Sequence, residues 1–222
     1  FNVDNKRATE ISKEIIKRKL DIYWNVQARV DLIDEGTLRW MKKAGCYLLR
    51  FGMESGSQKI LNNIQKDATI QSIRDTFKMV KRVGVESNVH VMVGNPGETE
   101  ETISETIKLI QEVKPDMVST FGTSILPSTP LYDRAKAEGL VTDDYWLQDS
   151  EAPLYTGALN PDQIRMYVYK IQSSFEKMKG TSSYLKYIIN NVKNRMDRPQ
   201  DIVKYGVKVL KNELLKIPVT SM

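Results

Sequence analysis

The strongest constraint in this sequence is a strand, turn and helix pattern that recurs through its first 140 residues. In its clearest copy, the apolar run of residues 89–93 ends in Gly-Asn-Pro-Gly, and Ile103, Ile107 and Ile110 then recur on one helical face. Thr99 is placed to cap that helix, and Asp34 and Thr69 are placed to begin two others. Strands separated by such helices lie parallel, with their carboxyl ends on one side. The pattern therefore predicts an α/β fold with a ligand site on that side.

Four strands and five long helices are predicted in this region, besides a short helical piece at residues 55–64. The strands span about residues 22–27, 46–54, 85–94 and 117–126, and the helices about 4–20, 34–45, 69–84, 99–115 and 129–139. The third strand carries Val89, Val91, Met92 and Val93, a continuous apolar segment typical of a parallel strand covered on both faces. Because four strands cannot close an eight-stranded barrel, either the sheet is open or the first units are missing.

The pattern changes at Val141, which gives a predicted boundary between residues 1–140 and 141–222. Residues 141–157 are typical of a surface crossing, and Asn160 and Pro161 then begin a helix that ends at Gly180. Two further helical stretches are predicted near residues 184–192 and 199–214. We expect a linker and a helical extension here, which could cover the open edge of the sheet or pair with a partner chain.

Composition excludes several kinds of site. A single cysteine, Cys46, excludes an internal disulfide and a multi-cysteine metal site within this chain, and a single histidine, His90, argues against a histidine metal centre. Both residues have a structural interpretation, as buried members of the core. The chain lacks a signal-peptide pattern and a long apolar stretch, so a cytoplasmic location is expected.

The net charge of +5 is concentrated after residue 156, where 12 Lys and Arg face 5 Asp and Glu. A basic tail could meet nucleic acid or an anionic membrane. Lysines on the outer faces of amphipathic helices are more commonly just solvated, and we favour that interpretation.

Polar or glycine-rich residues follow three of the four predicted strands. Gln27 and Arg29 end the first, Glu54 and Ser55 end the second, and the turn Gly94–Gly97 ends the third. A guanidinium can bind a carboxylate through two parallel hydrogen bonds, and a glutamate can accept both hydroxyls of a ribose. Together these groups suit a polar ligand that carries amine, carboxylate and diol groups.

Each of these groups also has a structural alternative. Glu54 and Ser55 suit a helix cap, and Arg29 could pair with Asp31 or Asp34. Several polar strand ends on one side are harder to explain as caps alone, which favours the ligand site.

Three stretches carry a family resemblance: residues 24–64 (WNVQARVDLIDEGTLRWMKKAGCYLLRFGMESGSQKILNNI), 91–107 (VMVGNPGETEETISETI) and 126–140 (LPSTPLYDRAKAEGL). In this order they resemble the radical S-adenosylmethionine (SAM) enzymes, especially the cobalamin-binding-domain subgroup that includes the anaerobic magnesium-protoporphyrin ester cyclase. The resemblance implies a partial parallel (β/α) barrel over residues 1–140, followed by carboxy-terminal helices. In that family the open end of the barrel holds a 4Fe-4S cluster and S-adenosylmethionine.

The resemblance also implies roles for the strand ends. Gln27 and Arg29 match the end of the third barrel strand, which helps to hold the methionine part of the cofactor. Glu54 and Ser55 match the fourth-strand motif near the ribose.

Two further assignments concern the third strand of this sequence. His90 occupies a fifth-strand position at which some relatives have an acidic ribose ligand. The turn formed by Gly94, Asn95, Pro96 and Gly97 matches the one that lies along the adenine.

Departures from the family pattern limit what this chain can do by itself. The Cys-x-x-x-Cys-x-x-Cys loop that ligates the cluster is absent, as are the first two barrel strands. We therefore expect a carboxy-terminal part of a longer enzyme, which would carry the cysteines and any cobalamin-binding domain. The isolated fragment is expected to be inactive.

The implied chemistry is radical functionalisation of an unreactive carbon, such as oxidative cyclisation or methyl transfer. The expected partners are a small-molecule substrate such as a tetrapyrrole or lipid, an electron donor protein, and a second copy bound through exposed strand edges. The alternatives are an RNA-modifying relative, which the basic tail permits, and a non-catalytic interaction module built on the barrel remnant.

Overall fold

The computed structural model describes residues 1–148 and 151–180, in which strands and helices alternate along the chain. The strands are β1 (Trp24–Ala28), β2 (Cys46–Glu54), β3 (Glu86–Val93) and β4 (Met117–Gly122). The helices are α1 (Asn5–Lys17), α2 (Glu35–Lys43), α3 (Gln58–Asn63), α4 (Ile70–Val83), α5 (Glu100–Val113), α6 (Pro130–Ala137) and α7 (Pro161–Lys179), with a 3-10 helix at Asp143–Gln148.

The strands form one parallel sheet in the order β1-β2-β3-β4. The predicted α/β class with a parallel, barrel-like sheet is therefore confirmed. The observed bounds of β2 are the same as those predicted from the sequence. Within the described residues β1 and β4 are the edge strands, and association through them stays a prediction.

Side-chain caps fix where the helices begin. The Asp34 carboxylate accepts a hydrogen bond of 2.8 Å from the Thr37 backbone N–H. Thr69 and Thr99 each form a capping box, with Ser72 and Thr102 respectively. These caps hold the strand-to-helix connections in place, and the sequence predicted all three cap positions.

The two faces of β3 differ, which corrects the expectation that both are covered. Val89, Val91 and Val93 are buried on the outer face, against the helices, whereas Asn88 and His90 are only half-buried on the inner face. The polar side chains of the inner face therefore keep contact with solvent. The uninterrupted apolar run therefore did not predict the burial of both faces correctly, because Met92 lies on the half-buried inner face.

The described residues after α6 contribute to the core, although a surface crossing was predicted over residues 141–157. Val141 and the almost fully buried Tyr155 pack in a second hydrophobic cluster with Ile125, Tyr132 and Ala135. Val141 and Tyr155 cover apolar side chains of α6 and of the segment after β4.

The described chain extends from one compact unit into a second, with bounds Phe1–Phe175 and Glu176–Met222. Helix α7 begins at Pro161 as predicted, and Asn160 caps it by accepting from the Gln163 N–H. The two predicted later helices and most of the basic tail lie outside the described residues, so the boundary at residue 140 stays a prediction. In residues 1–148 and 151–180, no helix has the length and hydrophobicity needed to cross a membrane.

We predict that Gly56→Ala destabilises the protein by about 2–3 kcal/mol, the usual cost of forcing atoms into packed structure. A Cβ at Gly56 would lie 2.5 Å from the Thr106 Cα in α5, and Gly56 N–H donates to Thr106 Oγ1 at 2.9 Å. Urea unfolding measures the change in free energy.

Gly139→Ala is the matched control, because its Cβ would meet nothing within 4 Å and only the positive φ of 72° opposes it. We expect a cost of about 1 kcal/mol there. Equal costs for the two variants would contradict the close packing of Gly56 on α5.

Candidate functional site

A cleft of about 300 Å³ lies at the carboxyl ends of β1, β2 and β3, and we call it the strand-end cleft. Four of the nine predicted site residues line it, together with residues that the sequence did not single out. The lining residues are Phe1, Gln27, Ala28, Arg29, Arg50, Gly52, Glu54, Lys66 and His90. A larger depression of about 500 Å³, near the amino end of β1, contains no predicted site residue.

An irregularity in β2 turns Glu54 into the cleft. Gly52 pairs with His90 and Glu54 with Val91, so β2 has one extra residue there, and Glu54 has a left-handed φ of 64°. A non-glycine residue in this conformation costs about 1–2 kcal/mol, and such strain clusters at functional sites. The bulge therefore marks Glu54 as a candidate functional residue.

Gly52 leaves room for the Glu54 carboxylate. A Cβ at Gly52 would lie 2.4 Å from Glu54 Oε1 and 3.3 Å from Lys66 Nζ. The carboxylate thus folds back over the bare backbone of its own strand. Any side chain at this position would displace it.

Lys66 holds the Glu54 carboxylate in place. Its Nζ lies 3.1 Å from Glu54 Oε1, and each side chain is about one-fifth exposed. Lys66 follows helix α3, and its backbone N–H donates to Leu61 O at 2.8 Å. Sequence reasoning missed Lys66 because a surface lysine after a short helix carries no distinguishing pattern.

Arg29 lies at the rim of the cleft and is already paired. Its guanidinium donates to both oxygens of Asp31, at 3.1 and 2.7 Å, and to Asp67 at 3.1 Å. The hydrogen bonds that the guanidinium donates to these carboxylates raise the pKa of Arg29 above its usual value. Asp31 was one of the two partners considered from the sequence, whereas Asp34 caps α2 instead.

Ser55 points away from the cleft. Its buried hydroxyl lies 3.2 Å from Thr106 Oγ1 and accepts from the Ser57 N–H. Gln27 and His90 do face the cleft, and the His90 ring packs edge-on against Phe121 with centroids 5.8 Å apart. The structural interpretation of His90 as a core residue is therefore wrong.

The turn from Gly94 to Gly97 lies beside the cleft without lining it. Asn95 is buried and joins two strand ends, donating to Met92 O and accepting from Thr123 Oγ1. The Pro96 carbonyl accepts from Asn63 Nδ2 at 2.9 Å.

The two glycines of the turn both have positive φ. At Gly94, where φ is 97°, a Cβ would lie 3.1 Å from Ile164 Cδ1. At Gly97, where φ is 80°, the backbone is exposed. The turn is therefore covered at one end and open to solvent at the other.

Comparison with known proteins identifies the family. Residues 3–110 match the family model described as the radical SAM superfamily. The chain belongs to the radical SAM superfamily. Enzymes of this superfamily use S-adenosylmethionine and a 4Fe-4S cluster.

Two curated relatives are much longer than this radical SAM chain. An uncharacterised methyltransferase of Pyrococcus horikoshii is 34% identical over 66% of this chain and 32% of its own length. The anaerobic magnesium-protoporphyrin IX monomethyl ester cyclase of Rubrivivax gelatinosus is 32% identical over 53% of this chain and 21% of its own length. The chain thus spans about a third or less of the length of these relatives.

A solved radical SAM structure confirms the fold. The methyltransferase TsrM of Kitasatospora setae, solved with cobalamin and a [4Fe-4S] cluster bound, superposes with a TM-score of 0.58 at 19% identity. The match covers 62% of this chain and 29% of that protein.

Glu98 is a further feature of this radical SAM chain that sequence reasoning missed. Glu98 as a residue is 4% exposed, and its carboxylate accepts hydrogen bonds from the backbone N–H groups of Gly94 and Asn95. Burial raises the pKa of Glu98 to about 7, and the two backbone hydrogen bonds only partly oppose that rise. A Glu directly after a glycine turn was the signal that the sequence offered.

We predict that stability falls as the pH rises from about 5 to about 7.5. The pKa of Glu98 is higher in the folded protein, so folding favours the protonated form and loses that advantage as the group ionises. The loss should be about 3 kcal/mol, as a rise of this size implies. Urea unfolding at a series of pH values measures it.

Glu98→Gln keeps an acceptor for both backbone N–H groups and removes the titration, so its stability should change little over this range. Glu112→Gln is the control, because Arg74 lowers the pKa of that exposed carboxyl and moves its titration to more acidic pH. The stability of Glu112→Gln should therefore fall with rising pH as much as that of the wild type. A decline that persists in Glu98→Gln would refute the assignment.

Proposed function

We propose that this chain supplies part of the S-adenosylmethionine cradle of a longer radical SAM enzyme that functionalises an unreactive C–H bond. One observation carries the proposal: Glu54, strained over Gly52 and paired with Lys66, presents a carboxylate inside the strand-end cleft. A carboxylate can accept both hydroxyls of a ribose, and an ammonium can bind the methionine carboxylate.

The residues of the cleft offer the kinds of groups that would bind this cofactor. S-adenosylmethionine carries an amino acid group, a diol and an adenine, and the cleft offers Glu54, Lys66 and the Arg29 guanidinium within about 300 Å³. Gln27 and His90 add polar hydrogen-bonding groups at its sides. The exposed backbone at Gly97 is the part of the adjacent turn that could contact the adenine. Bound S-adenosylmethionine would supply the reactive group, and these residues would bind and orient it.

The residues of this chain do not fit a 4Fe-4S cluster. Cys46 is its single cysteine, it is buried at the start of β2, and burial raises the pKa of its thiol to about 11. In the part of the chain that the structure describes, no group of three or more His, Cys, Asp or Glu side chains could hold a metal. We therefore infer that the cluster ligands, and any cobalamin-binding domain, belong to sequence outside this chain.

We infer that the substrate is a small organic molecule. The cyclase relative is named for a tetrapyrrole, and the other curated relative is named a methyltransferase. Cyclisation and methyl transfer are therefore the reaction classes that these names support. An electron donor protein would supply the reducing equivalents.

Glu54→Gln should weaken S-adenosylmethionine binding by about tenfold, because it removes a charge-assisted hydrogen bond worth about 1.5 kcal/mol. Gly52→Ala should have a similar effect without a change of charge, since the new Cβ displaces the Glu54 carboxylate. Isothermal titration calorimetry measures both.

Glu112→Gln is the matched control for this measurement, because Glu112 pairs with Arg74 on the outer helices. It should bind like the wild type. Wild-type affinity in both Glu54→Gln and Gly52→Ala would reject the cradle.

The longer enzyme can be tested directly. The reading frame extended upstream of Phe1 should encode a three-cysteine loop. Its product, expressed anaerobically with iron and sulfide, should show a cluster whose electron paramagnetic resonance signal changes when S-adenosylmethionine is added. If the longer protein forms no cluster, the enzymatic proposal is rejected and the chain is interpreted as a non-catalytic binding module.

A further inference from the structure

Arg50 is a half-buried cation without a counter-charge. It lies in the middle of β2 on the inner face of the sheet and lines the strand-end cleft. Within residues 1–148 and 151–180 its guanidinium has neither a carboxylate at ion-pair distance nor a hydrogen-bond partner. The other two cations of the cleft are neutralised, Arg29 by Asp31 and Asp67, and Lys66 by Glu54.

The residues beside Arg50 on the neighbouring strands carry hydrogen-bonding side chains and no carboxylate. In the sheet register it pairs with Gln27 on β1 and Asn88 on β3, and His90 lies two residues further along β3. Asn88 is held by Ser119, with hydrogen bonds of 3.2 and 3.3 Å. An unpaired cation among hydrogen-bond donors is a suitable site for an anion, because a partly buried charge is costly unless it is paired.

Arg50 lies deeper in the fold than the proposed cradle. It precedes Glu54 by four residues, but the Glu54 carboxylate folds back over Gly52, so Arg50 lies about two residues, or about 7 Å, below that carboxylate along the strand. Gly52, between them on the same face, has no side chain that would separate the two levels. A molecule that reaches Arg50 would therefore lie below a cofactor bound at Glu54 and Lys66.

We propose that Arg50 binds a carboxylate of the substrate through a bidentate pair, with Asn88 and His90 as flanking donors. This proposal rests on the proposed function, because the space below Glu54 and Lys66 is available to the substrate only if the cofactor binds at those two residues. Arg50 is thus a specificity residue that selects a substrate with an acidic group.

Sodium propionate is a suitable probe, with propionamide as its neutral isostere. Nitrogen-15 spectra of the labelled chain should show the Arg50 Nε–H signal shifting with propionate, and this signal is assigned by its absence in Arg50→Gln. Propionate binding should weaken at least about tenfold in Arg50→Gln. Arg50→Lys should weaken it several-fold, because lysine keeps the charge and lacks the planar fork.

Arg74→Gln is the matched control, since that arginine pairs with Glu112 away from the cleft. It should bind propionate like the wild type. Equal propionate affinity in wild type and Arg50→Gln, or equal binding of propionamide and propionate by the wild type, would overturn the proposal.

A second titration separates the substrate carboxylate from that of the cofactor. Arg50→Gln should change the affinities for S-adenosylmethionine and decarboxylated S-adenosylmethionine by less than about twofold. Loss of affinity for S-adenosylmethionine alone would assign Arg50 to the methionine carboxylate and overturn the proposal. A wild-type chain that binds propionate at Arg50 but not S-adenosylmethionine would reject the proposed cradle and leave the anion site in place.

Discussion

The parallel register of β2 between β1 and β3 determines which side chains meet in the cleft. It places Gln27, Arg50 and Asn88 in one row, and Gly52 and His90 in the next. A slip by one residue would send the polar groups into the outer core and the buried valines to the inner face. The outer core prevents such a slip, because the apolar residues of β2 and β3 pack there against the helices.

Much of this fold could be predicted because its signals are local. Helix starts depend on a side chain that bonds a backbone N–H three residues later, and Asp34, Thr69 and Thr99 were all identified in this way. Burial depends on distant parts of the chain, so local sequence was less informative about it. Tyr155 fills a space created by residues up to thirty positions earlier, and no local pattern indicates that space.

The site was predicted in part, for a similar reason. Strand ends could be located, which brought Gln27, Arg29, Glu54 and His90 to one cleft. Direction within an irregular turn could not be predicted, because the bulge that turns Glu54 inward sends Ser55 towards α5. Lys66 reaches the cleft because of the path that the chain takes after α3, and no local sequence pattern indicates that path.

The polar lining of the inner face also affects the thermodynamics of whatever binds there. Amides, hydroxyls and charged groups hold ordered water, and a ligand replaces those hydrogen bonds with its own. Much of the surface that leaves water in that exchange is polar, so the heat capacity change on binding should be smaller than for an apolar groove of the same area. Association within this cleft would then be favoured by enthalpy and depend only weakly on temperature, unlike docking on an aliphatic groove.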